Sequence, residues 1–310
     1  MILDRRLIFV TGKGGVGKTS VAAALAHLAA RQGRRILVCE MDAKGSLAAA
    51  FDATELGFEP RELEPNLFAM AMNTEDALRE YLRLFVRVPF LGKIRPLART
   101  FDFVADAAPG VKEILAVGKL CYEVREGHYD CVVVDAEASG HIVAQIGAPK
   151  VIRDLVHVGL VRDQTDWMLD LLRDEATTGV AVVTTPEEMP VAESLSLIHR
   201  LDDETGISAS VLIANRVLPA LFDRRQSVVV DRLDDARPLV VEAVGRAGAA
   251  VLEAATITEA RRKVGAGHLA RLTGEVDGLP MLIVPELFTR ATGRRVVALV
   301  AEALAEELDA

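Results

Sequence analysis

Apolar residues in this chain fall into short unbroken blocks, separated by longer segments with helical spacing. The blocks are "RLIFVTG" (6–12), "RRILVCEMD" (34–42), "DCVVVDA" (130–136), "GVAVVTTP" (179–186), "ASVLIANRV" (209–217) and "PMLIVP" (280–285). They are continuous rather than alternating, as in parallel strands covered on both faces. Between the first two lies "KTSVAAALAHLAARQG" (18–33), an alanine-rich helical segment with Gly33 as its stop. Strand–helix–strand order predicts an α/β fold with a doubly wound, mostly parallel sheet.

Two stretches leave this rhythm. Residues 75–127 and 149–175 carry aliphatic and aromatic residues at helical spacing. They are expected to form a helical subdomain at the ligand end of the sheet, within one domain over residues 1–310. The last helix, residues 294–308, is amphipathic and runs into the acidic end "AEELDA". Acidic ends do not seek anionic lipid, so it is expected to pack on the sheet.

Composition narrows the partners. The 310 residues are 51% hydrophobic and 26% charged, with a net charge of −9. Nucleic acid requires clustered Lys and Arg, and no basic block occurs, so no nucleic-acid partner is expected. No uncharged apolar run reaches the ~20 residues of a transmembrane helix. The start is short and polar rather than a signal peptide, and a cytoplasmic location is expected. Cys39, Cys121 and Cys131 have no metal-like spacing, so they are expected to be core thiols in a reducing cytosol.

The chemistry centres on "GKGGVGKT", Gly12 to Thr19, which satisfies G-x-x-x-x-G-K-[ST] between a strand and a helix. Glycines let backbone N–H groups converge on phosphate oxygens, and the helix start adds its positive dipole end. Gly12, Gly14, Gly15, Val16, Gly17, Lys18, Thr19 and Ser20 are the candidate nucleotide-binding residues. Lys18 is expected on the β/γ phosphates and Thr19 on Mg²⁺. Asp42 ends the second block and Asp135 ends "CVVVD", positions suited to holding the metal and activating water. Glu40 and Glu137 stand beside them. Lys13 is a second lysine that a phosphate loop does not require.

These residues resemble a known family. "KGGVGKT" is similar to the deviant Walker A loop of the SIMIBI class of P-loop ATPases, which includes ArsA, the Get-pathway targeting ATPase, MinD, ParA and the nitrogenase iron protein. "DAKGSLAAAF" (42–51) and "DAEASGH" (135–141) resemble the two switch segments of the ArsA/Get branch. "VVTTPEEMPVAES" (182–194) resembles its bacterial T-x-P-E-E-x-x-x-x-E segment. "IANRV" (213–217) and "VPELF" (284–288) resemble its adenine-binding segments.

The resemblance implies an ATPase using ATP and Mg²⁺. Asp42 would orient or deprotonate the attacking water and Asp135 would hold Mg²⁺ indirectly. Asn215 would bond the adenine edge, with Pro285, Glu286 and Phe288 shaping the pocket. Lys13 would cross a dimer interface to the partner's ATP, as an arginine finger does; the alternative is a solvated lysine. The chain is then expected to pair with another copy or a paralogous ATPase. Helices including "YLRLFVRVPFLGKI" (81–94) either form a groove for a hydrophobic client or pack as core, the reading that helical apolar stripes favour.

Some positions depart from the family. Ala43, Lys44 and Gly45 replace Pro-Ala-His/Ser, Ala138 replaces proline and Glu137 replaces a small residue, which leaves the hydrolysis rate open. The family's zinc CxxC and metalloid-binding cysteines have no counterpart, so neither a zinc-clamped dimer nor arsenite binding is expected. A slow or non-catalytic regulatory subunit is the second reading. A MinD/ParA-like positioning ATPase would need a basic face or a membrane-seeking helix, and neither is found.

Overall fold

Successive side chains of a strand point to opposite faces, and in β1 (Leu7–Gly12) both sets are apolar. Leu7 and Phe9 enter one core layer, Ile8 and Val10 the other. β2 (Ile36–Glu40) and β5 (Cys131–Ala138) divide in the same way, which explains the unbroken apolar blocks. The structure is a computed structural model and describes residues 1–86, 110–223, 225–226, 228, 232 and 237–309.

Among the described residues one eight-stranded sheet has the order β3-β4-β2-β5-β1-β6-β7-β8. The remaining strands are β3 (Arg61–Glu64), β4 (Leu67–Ala71), β6 (Thr178–Thr184), β7 (Val211–Val217) and β8 (Met281–Pro285). All pairs are parallel except β3 with β4. The doubly wound α/β expectation holds. The β3–β4 hairpin was not foreseen, because β3, "RELE", is a polar edge strand without an apolar block.

On one face α1 (Lys18–Arg31) packs against α9 (Arg294–Asp309) and the short α2 (Ser46–Ala50). Ala22, Ala26 and Ala29 of α1 are buried and small enough for close helix approach. Val297, Val300, Ala301 and Leu304 form the inward stripe of α9, as expected for packing on the sheet. The opposite face carries α4 (Val111–Glu126), α5 (Ser139–Leu155), α6 (Leu160–Arg173) and α7 (Glu188–Arg200). α8 (Arg237–Glu275) breaks at Gly245 and packs on α7.

The two stretches read as helical divide among α3 (Thr74–Tyr81), a π-helical turn Leu82–Val86, α4, α5 and α6. The helix read from Pro149 onward begins earlier, at Ser139, and carries Pro149 inside it. Residues 87–94 of the client-groove stretch lie outside the described residues. Cys39, Cys121 and Cys131 are buried, and burial pushes the Cys39 and Cys121 thiols well above the ordinary thiol range, which keeps them unreactive. They are core residues.

Candidate functional site

β1 lies at the centre of the sheet, between β5 and β6, where the winding direction reverses. Ligands of such sheets bind beyond the carboxyl ends of the strands at this switch point, and the loop 13–17 leaves β1 there. Gly12 has φ 146°, and a Cβ on it would run into the Val183 carbonyl oxygen of β6. Gly17 has φ 96°, and a Cβ on it would strike the Asn215 side-chain amide. Glycine is therefore required at both ends of the loop. Gly14 meets no neighbour and carries no such requirement.

α1 starts at Lys18 without a side-chain cap, so the N–H groups of Lys18, Thr19 and Ser20 lack the partner that a cap supplies. A helix start of this kind is an anion site. The Lys18 Nζ arches back to the Lys13 carbonyl oxygen at 3.1 Å. Burial holds the Lys18 ammonium below its ordinary pKa, while the charges of Asp135 and Asp42 act in the opposite direction. An anion in the loop would satisfy this desolvated cation.

The Thr19 hydroxyl donates to Asp135 Oδ2 at 2.6 Å. Asp135 lies within β5, which continues three residues past it, so it does not end the strand as read from sequence. Burial pushes its carboxyl up to about 6, against the Thr19 hydrogen bond and Lys18, and neighbouring Glu40 adds to the rise. Its Oδ1 is sealed from solvent and has no hydrogen-bond partner among the described residues.

β2 stops at Glu40, two residues before Asp42. Asp42 lies in the following bend, half-exposed and ion-paired with Lys44. That pair raises the Lys44 pKa through its hydrogen bond to Asp42. The structure thus brings Lys18, Thr19 and Asp135 together, and places Asp42 with Lys44 instead.

Lys13 is ion-paired with Glu193 of α7. The other Glu193 oxygen accepts from the Ser139 hydroxyl at 3.3 Å, where α5 begins after the second switch-like segment. Glu193 was not singled out from sequence, although it is the last glutamate of "TTPEEMPVAES". The Glu137 side chain accepts from Gln145 Nε2 at 2.7 Å.

The Asn215 side chain is buried and works within the protein. Its Nδ2 donates to the Val16 carbonyl oxygen at 2.8 Å, and its Oδ1 accepts from the Arg216 N–H at 3.0 Å. It therefore braces the phosphate loop against β7. The Glu286 N–H donates to the Val217 carbonyl at 2.9 Å, joining the ends of β8 and β7. Pro285 is in register with Val217. Phe288 is 67% exposed with φ 45°.

The donors present suit a hard cation. Thr19 and Asp135 offer oxygen, and sealed carboxylate oxygens without donors, at Asp135 and Glu40, call for positive charge or bound water. Among the described residues no three His, Cys, Asp or Glu side chains form a protein-only metal cage. Mg²⁺ does not require one, since it retains waters and takes substrate phosphates as ligands.

This sheet, with its glycine loop between β1 and α1 at the switch point, is the fold of a SIMIBI-class P-loop NTPase. The chain belongs to the anion-transporting ATPase family, whose model matches residues 5–166 and 160–232. It is 32% identical over 226 residues to ATPase BagA of Mycobacterium tuberculosis, a match spanning 69% of this chain and 66% of that protein. It is 29% identical over 259 residues to the ATPase ASNA1 homolog of Entamoeba dispar, spanning 68% of this chain and 76% of that one. Similarity to ATPase get3 of Schizosaccharomyces japonicus is 31% over 147 residues, 47% of this chain and 44% of that protein.

Proposed function

We propose that this protein is a Mg²⁺-dependent ATPase that works as a pair of chains and couples ATP-driven closure to a protein client or membrane partner. The observation that carries this reading is the convergence of Lys18, Thr19 and Asp135 on the glycine loop, with a buried carboxylate oxygen left without a partner. The loop N–H groups and Lys18 bind the ATP phosphates. Lys18 leaves the Lys13 carbonyl to do so. Thr19 and Asp135 would hold Mg²⁺, Asp135 indirectly, and the ion would supply positive charge to offset the charge that develops in transfer. Asp42 orients the attacking water after parting from Lys44, and also faces the metal. Asn215 keeps the loop seated and, with Pro285, Glu286 and Phe288, borders the adenine.

Lys13 completes the partner chain's site across the interface, which requires it to leave Glu193. One domain carries these parts, with a helical portion over about 75–127 and 149–175. An apolar cavity of about 440 Å³ between α3, α4, α5 and α6, lined by Leu78, Leu82, Ile114 and Met168 among others, supports an apolar segment as client. No helix among the described residues is long and apolar enough to cross a membrane.

A second reading has one specific support. Lys44, which departs from the family pattern, occupies Asp42, as expected of a slow subunit working beside a paralogous ATPase. Steady-state turnover of the purified chain with Mg-ATP separates the two. Turnover that Lys18→Ala abolishes supports the first. Turnover seen only after a second ATPase chain is added supports the other.

A further inference from the structure

Glu40 closes β2 in register with Asp135 of β5 and is only 3% exposed. Its Oε1 accepts from the Ser46 backbone N–H at 2.8 Å. Ser46 is the first residue of α2, so this bond ties the loop that carries Asp42 and Lys44 to the end of β2. Its Oε2 is sealed from solvent and has no hydrogen-bond partner among the described residues. Asp135 Oδ1 is in the same state on the adjacent strand, while Oδ2 holds Thr19.

One carboxylate oxygen in this condition is costly to bury, and two at paired positions are costlier still, because their charges repel. Holding Ser46 uses one oxygen of Glu40 and leaves the other unexplained, and an uncharged amide would hold Ser46 equally well. The unmet demand is for donors or positive charge between the ends of β2 and β5, beside Thr19.

We infer that Glu40 is a positioning residue for the magnesium site: its free oxygen holds the hydrated cation together with Asp135, and its other oxygen passes that state to the switch-like loop through Ser46. This rests on the reading of Thr19 and Asp135 as the metal-holding residues. Metal occupancy then fixes the Glu40 rotamer, and the rotamer fixes the start of α2. The loop 42–45, with its half-exposed Asp42 and exposed Lys44, is ordered from inside the protein as well as by nucleotide.

ADP affinity measured in EDTA and in excess Mg²⁺ tests this without turnover, with tryptic cleavage after Lys44 as a second readout. The wild-type chain is expected to gain affinity with Mg²⁺ and to become protected at Lys44. In Glu40→Gln, which keeps the acceptor for Ser46, that gain is expected to fall about tenfold, the usual effect of losing an outer partner of a metal. Affinity in EDTA should be unchanged and protection lost. Glu40→Asp, which keeps the charge one methylene further back, should fall between them. A Gln variant with the wild-type gain and protection would overturn the role of Glu40 alone. A wild-type chain whose ADP affinity ignores Mg²⁺ would overturn the Thr19–Asp135 reading beneath it.

Discussion

Lys13, at the front of the phosphate loop, is ion-paired within its own chain to Glu193 of α7. The same carboxylate touches Ser139 at the start of α5. A lysine that serves a neighbouring chain must first leave this partner. The pair is about one-third exposed on each side, so it is worth only about 0–1 kcal/mol. It is a weak restraint that phosphate charge can outbid. Glu193→Gln is therefore expected to tighten ATP-dependent pairing by up to about fivefold. Sedimentation velocity across a concentration series reads this; weaker pairing in the variant would count against it.

Gly17 combines a left-handed backbone with an approach to Asn215 that leaves no room for a Cβ. Gly17→Ala is expected to lose about 1–3 kcal/mol of stability and to abolish nucleotide binding, because the loop and its brace must both shift. Gly14→Ala, in open space, should retain the fold. Thermal melts with and without ADP separate the two variants.

The Asp135 carboxyl is raised from 3.8 to about 6 in the folded chain. A raised folded pKa means that the native state holds the proton more tightly, so stability falls as pH rises from about 4 to about 6 and stays lower above that. Asp135→Asn removes this penalty. Without metal or nucleotide, the variant should be more stable than wild type by about 2–3 kcal/mol at pH 7.5 and equal to it near pH 4. It should also lose the Mg²⁺-dependent part of nucleotide binding. Denaturant melts at the two pH values measure the difference; an equal gap at both would refute the assignment.

Lys44 holds Asp42 in an ion pair within its own loop. Both side chains are largely solvated, so freeing Asp42 gains little energy. Lys44→Ala is expected to raise kcat by up to about fivefold with ADP affinity unchanged. A fall in kcat would instead give Lys44 a direct part in the reaction.

The sheet was legible because each buried parallel strand writes an unbroken apolar block, as in "LIFV" and "CVVVD". β3 was not, since an edge strand such as "RELE" buries little. The loop and Asp135 were legible because backbone geometry and local order dictate those residue types. The partners of Lys13, Asp42 and Asn215 were not. Glu193 is 180 residues from Lys13 in sequence and Asn215 is 199 from Val16, and only the packing of α7 and β7 against the loop brings them together. Glu40 stood in the sequence only as a neighbour of Asp42 and Asp135, and its sealed, unpartnered oxygen is what gives it a role of its own.

If a cation is lent from one chain to the other, mixing two inactive variants should reveal the loan. Lys13→Ala keeps its own site but cannot complete its partner's, whereas Asp42→Asn keeps Lys13 but cannot process its own ATP. Each alone should turn over little ATP. Mixed in equal amounts they should recover about a quarter of wild-type turnover, since half the pairs carry one complete site of two. No recovery at any ratio, or full turnover by Lys13→Ala alone, would rule out a shared Lys13.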